Sequence, residues 1–180
     1  GCTNNTSKSV IVHSLPIVDF TAGNTCLGTI SNFTNNSSSL NSPIDSIFWL
    51  YSDGSSSIQT NSETFETYLF SDTGFYSVKL IIKDQNGCVD SLVKTEIVRP
   101  RPTANFSADT VCFNNLTSFL DLSSSTPPLG GLINQWNWTF GDGGTSSSQN
   151  PQHTFNNHGL FTTSLLVTDN NGCIDTAIYT

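Results

Sequence analysis

Positive charge is scarce in this sequence. Lys and Arg number six in 180 residues, and all of them (Lys8, Lys79, Lys83, Lys94, Arg99, Arg101) precede Pro102. Binding nucleic acid requires cations set against phosphates, and docking on an anionic membrane requires a basic cluster. A formal net charge of −8 excludes both classes of partner. Charged residues of either sign make up only 11%, so Ser, Thr and Asn must solvate the surface, whereas intracellular proteins usually carry more charge. Met is absent. No apolar run approaches the roughly 18 residues of a membrane span, which excludes membrane insertion in this segment, and the first residues lack the basic and apolar regions of a secretion signal. A chain that opens Gly-Cys-Thr-Asn-Asn reads as an interior piece of a longer protein.

What the sequence does hold is apolar material enough for real cores, at 36% hydrophobic and 11% aromatic, and it is arranged as a repeat. Phe20 to Cys26 aligns with Phe106 to Cys112, Ile44 to Gly54 with Ile133 to Gly143, and Gly74 to Ser91 with Gly159 to Thr176. The offset changes only inside Ser- and Asn-rich stretches, where loops tolerate insertion. Residues 1–13 read as the end of a preceding copy and a linker, with Cys2 corresponding to Cys88 and Cys173. Residues 14–99 form the first complete copy and 100–180 the second. Alternate positions such as Tyr76, Val78, Leu80, Ile82 and Phe161, Thr163, Leu165, Val167 build one apolar face of a strand. Each of these strands runs into an Asn-Gly hairpin signal, and the next strand is expected to begin at the cysteine. Short strands, turn residues and no helical period predict an all-β chain of two tandem sandwiches, about seven strands each.

The second copy carries Trp138, Phe140-Gly141-Asp142-Gly143, Asn150-Pro151, His153, Phe155, Gly159 and Asp169. This constellation resembles the PKD family, immunoglobulin-like domains named after polycystic kidney disease protein, and the resemblance covers both copies. In the first copy Trp49, Asp53 and Gly54 persist within "WLYSDG", while the Asn-Pro-x-His segment is replaced by "NSETFETYLF". Trp138 and Phe140, two apart on a strand, supply buried area. Gly141 and Gly143 permit a turn that a side chain would resist, and Asp142 is placed to accept backbone N–H groups. An alternating strand leads us to expect His153 against a neighbouring backbone group. The stretch therefore reads as a fold signature.

Chemistry is correspondingly thin. The three histidines, His13, His153 and His158, belong to no arrangement with a mechanism, and residues 19–97 hold none, so the repeated unit lacks a base and no enzyme is expected. No cofactor is implied. Calcium, which needs six to eight oxygens, finds no loop of known spacing; Asp53 and Asp142 are poorer candidates for it than residues near the linker "VRPRP". Trp136 aligns with Ile47, which argues for burial rather than for a sugar platform; Tyr51, Tyr68 and Tyr179 are left unplaced. Ser46, Ser91, Thr110 and Thr176 each follow Asp and precede an aliphatic residue, a triplet that looks like the acceptor of the Bacteroidota general O-glycosylation system.

Five cysteines point to an oxidising compartment. Pairing within each copy would join Cys26 to Cys88 and Cys112 to Cys173. However, in an immunoglobulin-like sandwich those positions lie at opposite ends of strands spanning roughly 23 Å, whereas bonded cysteines need Cα atoms within about 7 Å. The alternative is a staple from Cys26 to Cys173, with Cys2, Cys88 and Cys112 served by other repeats. The expected function is a non-catalytic, extracellular or cell-surface structural and adhesive segment of a large protein, contacting neighbouring repeats of its own chain, other proteins or surface glycans. The alternative is an accessory module of a secreted protease or glycan hydrolase.

Overall fold

A computed structural model describes residues 6–40, 42–60 and 64–180; Cys2 lies outside them. The described residues contain strands, turns and no helix. The first repeat supplies β1 (Phe20–Thr21), β2 (Asn24–Cys26), β3 (Ser31–Asn35), β4 (Ile44–Tyr51), β5 (Ser56–Thr60), β6 (Phe65–Tyr68), β7 (Gly74–Asp84) and β8 (Val89–Arg99). The second supplies β9 (Phe106–Ala108), β10 (Thr117–Asp121), β11 (Ile133–Thr139), β12 (Thr145–Ser146), β13 (Gln152–His153), β14 (Thr163–Asp169) and β15 (Ile174–Tyr179).

Chain contacts divide the protein into two compact units. The first takes the residues up to Gly23 with Ile30–Tyr68 and Phe75–Glu96; the second takes Asn24–Thr29, Leu69–Gly74 and Ile97–Thr180. In the first unit a sheet of order β1-β3-β6 accompanies one in which β8, β7, β4 and β5 are neighbours. In the second, β13-β10-β9 accompanies β12-β11-β14-β15. The second unit also contains a parallel pairing of β2 with the last residues of β8, Asn24 opposite Ile97 and Cys26 opposite Arg99.

The two cores are built alike. Period-two alternation buries Val78, Leu80 and Ile82 on β7 and Leu165 and Val167 on β14, while Ile81 and Leu166 between them are half-buried. Trp49 and Trp138 are wholly buried. Phe20 meets Trp49 edge-on at 5.1 Å, and Phe106 meets Trp138 edge-on at 5.0 Å, the geometry that ring quadrupoles favour. Phe33 and Phe119 close the other side at 5.8 and 5.5 Å.

The hairpins after β7 and β14 also share one construction. Asp84 Oδ1 accepts the Cys88 N–H at 2.9 Å, and Asp169 Oδ1 accepts the Cys173 N–H at 2.8 Å. Both aspartates are buried, and Gly87 and Gly172 take φ near +82°, where a Cβ would be strained. The following strands begin at Val89 and Ile174, one residue after the cysteines, because each cysteine N–H and C=O is spent on closing the turn against its aspartate.

Candidate functional site

The motif turn of the second repeat follows β11. Gly141 and Gly143 have φ of +80° and +95°, and a Cβ on Gly141 would fall 2.5 Å from the Thr162 carbonyl oxygen. Asp142 Oδ1 accepts the Gly144 N–H at 2.9 Å. Its second oxygen meets His153 Nε2 at 2.8 Å, and the two side chains are only 11% and 19% exposed. The imidazole lies flat on Phe140, ring centres 4.2 Å apart. The bond from His153, followed by that from Gly144, holds the Asp142 carboxyl below its ordinary range.

This corrects the expectation that His153 faces a backbone group. β13 pairs with β10, Thr117 opposite His153, which brings the ring beneath the turn. There Phe140 N–H is taken by the Gly144 carbonyl, and the carboxylate is the acceptor within reach.

The degenerate first repeat keeps the geometry and changes the chemistry. β6 pairs with β3, Ser31 opposite Tyr68, so Tyr68 occupies the place of His153. Its hydroxyl donates to Asp53 Oδ2 at 2.7 Å, and its ring stacks on Tyr51 at 4.0 Å, as His153 stacks on Phe140. Asp53 Oδ1 accepts the Ser55 N–H at 3.0 Å, matching Gly144. Hydrogen bonding from Ser55 and Tyr68 lowers the Asp53 pKa. Ser55 Oγ fits 2.6 Å from both Asp53 Oδ1 and the Tyr68 oxygen, whereas a Cβ on Gly144 would lie 2.5 Å from His153 Cε1. The residues have changed as a set around one fixed arrangement. The sequence left Tyr68 unplaced because its segment has lost the motif letters, and with it its stacking partner Tyr51; Ser55 and Gly144, next to the motif turns, gave no signal of their contact with that ring.

The other motif residues serve the backbone. Pro151 is buried and its carbonyl accepts the Phe119 N–H at 2.9 Å. Gly54 turns at φ +92° and Gly159 at +148°. Trp136 is only half-buried, unlike its counterpart Ile47, because its indole N–H reaches out to Asp121 Oδ2 at 2.6 Å. Burial pushes the Asp121 carboxyl up, but bonds from Ser123, Gln149 and Trp136 outweigh it and leave the pKa lowered. Tyr179 packs on Phe106 at 4.8 Å and donates to Asn105 Oδ1 at 2.8 Å. Among the described residues no group of three or more His, Cys, Asp or Glu is placed to hold a metal. Ser91, Thr110 and Thr176 are exposed, and Ser46 is half-buried on β4 between β5 and β7.

Cys26 and Cys173 are joined by a disulfide across a sequence separation of 147, their Cα atoms 5.6 Å apart. Cys88 and Cys112 are free thiols. Both bonded cysteines belong to the second unit, where Arg99 O accepts the Leu27 N–H and Leu27 O accepts from Arg101 Nε, each at 2.8 Å.

Residues 13–98 and 99–180 each match the family model of the PKD domain. A microbial collagenase of Vibrio alginolyticus is 40% identical over 57 residues, 32% of this chain and 7% of that protein, so the chain spans only a small part of the curated relative. The PKD1 domain of Vibrio anguillarum Epp is 30% identical, with a TM-score of 0.40, over 44% of this chain and 88% of that one. The fibronectin(III)-like modules of Clostridium thermocellum CbhA cover 91% of both chains at 15% identity and a TM-score of 0.52, a likeness of fold alone.

Proposed function

The chain belongs to the PKD domain family through both of its repeats, and from that premise we propose that it is a non-catalytic structural and adhesive segment of a large secreted or cell-surface protein, spacing a stalk or fibre. One observation carries this reading. His153 and Phe140 are replaced by Tyr68 and Tyr51 while ring stack, carboxylate bond and turn stay in place. A catalytic or ion-binding group depends on its proton affinity and ligand type, whereas a structural one depends only on shape and a satisfied hydrogen bond. The disulfide supports an oxidising, extracellular setting. Exposed Ser, Thr and Asn would give weak contacts to proteins or glycans that an array multiplies, and Ser91, Thr110 and Thr176 are its accessible O-glycan acceptors.

The similarity to a collagenase favours one second reading, an accessory module of a secreted protease or glycan hydrolase. The sequence on either side separates the two: further repeats accompany a fibre, a catalytic domain an accessory.

The structural role is tested by transplanting the first repeat's solution. Gly144→Ser alone drives a Cβ into the His153 ring and is expected to cost about 1–3 kcal/mol. His153→Tyr alone costs less, and the pair together recovers most of the loss, a coupling read by a double-mutant cycle in thermal denaturation. Additive losses, with no recovery in the double variant, would contradict the reading.

A further inference from the structure

The loop that carries Cys26 has a twin that is open. Cys112 occupies the same place in the second repeat, and the two loops share their fine geometry. The Thr29 N–H reaches Cys26 O at 3.0 Å, and the Asn115 N–H reaches Cys112 O at 3.0 Å. Gly28 has φ +77° and Asn114, its counterpart, φ +65°, a conformation that a non-glycine residue adopts only where the turn demands it. A second pair of segments matches as well: Gly74 and Gly159 have φ of +153° and +148°. Asn24–Thr29 and Leu69–Gly74, together with Ile97–Arg99, are the parts of the first repeat that belong to the second unit. The counterparts of the first two segments, residues 110–115 with Phe155 and residues 157–159, line a cleft of about 310 Å³.

What the first loop holds shows what the second lacks. Cys26 is bonded, β2 lies parallel to Ile97–Arg99, and the Leu27 N–H is taken by Arg99 O. By contrast, Val111, Cys112 and Phe113 are exposed, Phe113 by 55%, and Cys112 is a free thiol. Beside them Thr117, 4% exposed, lines the cleft, and its buried hydroxyl oxygen has no hydrogen-bond partner, a costly omission in a folded protein. Its counterpart Ser31 donates to Glu96 Oε1 at 3.2 Å. Glu96 stands immediately before Ile97–Arg99, so the orphaned hydroxyl and the unpaired loop edge call for consecutive residues of one segment.

We propose that this cleft is the docking site for the chain that runs on into a following repeat of the same class: an acidic residue on Thr117 and an Ile-Val-Arg-like strand on residues 110–112, both extending the last strand of the second repeat, and a disulfide from Cys112 to the following repeat's turn cysteine. The apolar part of such a strand recurs on this chain, with Ile11 and Val12 77% and 87% exposed at positions equivalent to Ile97 and Val98, while Val10 replaces the acidic residue; Cys88, the turn cysteine of the first repeat, is free. Because Cys112 precedes Cys173, successive bonds would enclose overlapping loops and leave no repeat outside one. The inference rests on the spacer reading and specifies how the spacer is coupled.

The test appends residues 96–180 after Thr180, which restores the repeat register, and forms bonds in glutathione buffer. Each bond takes one proton from each thiol, and the two electrons reduce one glutathione disulfide to two thiols. Non-reduced peptide mapping should join Cys112 to the turn cysteine of the appended copy within one chain. A Cys112 that stays open to alkylation, or that links between chains, overturns the docking. A shorter variant that appends only residues 96–102 should slow amide exchange of Phe113 at least tenfold; unchanged exchange is equally fatal. Either failure leaves the Gly144–His153 coupling untouched, so docking and spacer reading fall separately.

Discussion

Pulled by its two ends, the reduced chain lengthens by about 500 Å more than the oxidised one, because a bond spanning 147 residues withholds that contour at roughly 3.3–3.6 Å per residue. Force entering at the N-terminal side passes through Cys26 to Cys173 and bypasses every strand between them. In the oxidised chain only the segments outside the bonded loop, which include β1 and β15, stay in the load path; the strands between the cysteines bear load after reduction, when unzipping of β4, β7, β11 and β14 resists extension. Single-molecule extension with and without a phosphine reductant measures the difference directly. Bonds within each repeat would instead release two shorter lengths, each about 200 Å. The same closure, by a chain-entropy estimate, removes about 5 kcal/mol of unfolded-state freedom at 25 °C.

Replacing Trp138 by Ala is expected to cost about 3–5 kcal/mol. The indole is wholly buried against Phe106 and Phe119, and its N–H donates to Ser148 O at 2.9 Å. Truncation therefore leaves a cavity and an unpaired carbonyl together. For a repeat of this size each kcal/mol is worth about 4–8 °C, so the transition of the second repeat should fall by on the order of 15 °C or more in calorimetry. A change of only a few degrees would mean that the ring is not the centre of this core.

The fold was legible because burial leaves a period. Val78, Leu80 and Ile82 announce a strand face without any knowledge of their partners, and the offset that pairs Trp49 with Trp138 also pairs the phenylalanines that pack on them. Turn chemistry was legible for a similar reason, since Asp84 to Cys88 and Asp169 to Cys173 close on themselves within five residues. The Asp142–His153 contact was not. It joins two strands through a register fixed by β10, and the sequence letters hold no trace of that register. Tyr68 was hidden further, because the loop between Asp53 and Tyr68 is four residues longer than its counterpart and shifts the alignment. Trp136 illustrates a different limit: Ile47 gave the right position, but a larger ring with a polar N–H settles where Asp121 can receive it, at the margin of the core.

The Cys26–Cys173 bond, across a sequence separation of 147, underlies both the force response and the open partner loop at Cys112. Cleavage of the oxidised, alkylated chain followed by mass spectrometry without reduction tests this most directly. The account predicts one cross-linked peptide pair, containing Cys26 and Cys173, with Cys88 and Cys112 recovered alkylated. Peptides joining Cys26 to Cys88 and Cys112 to Cys173 would contradict it.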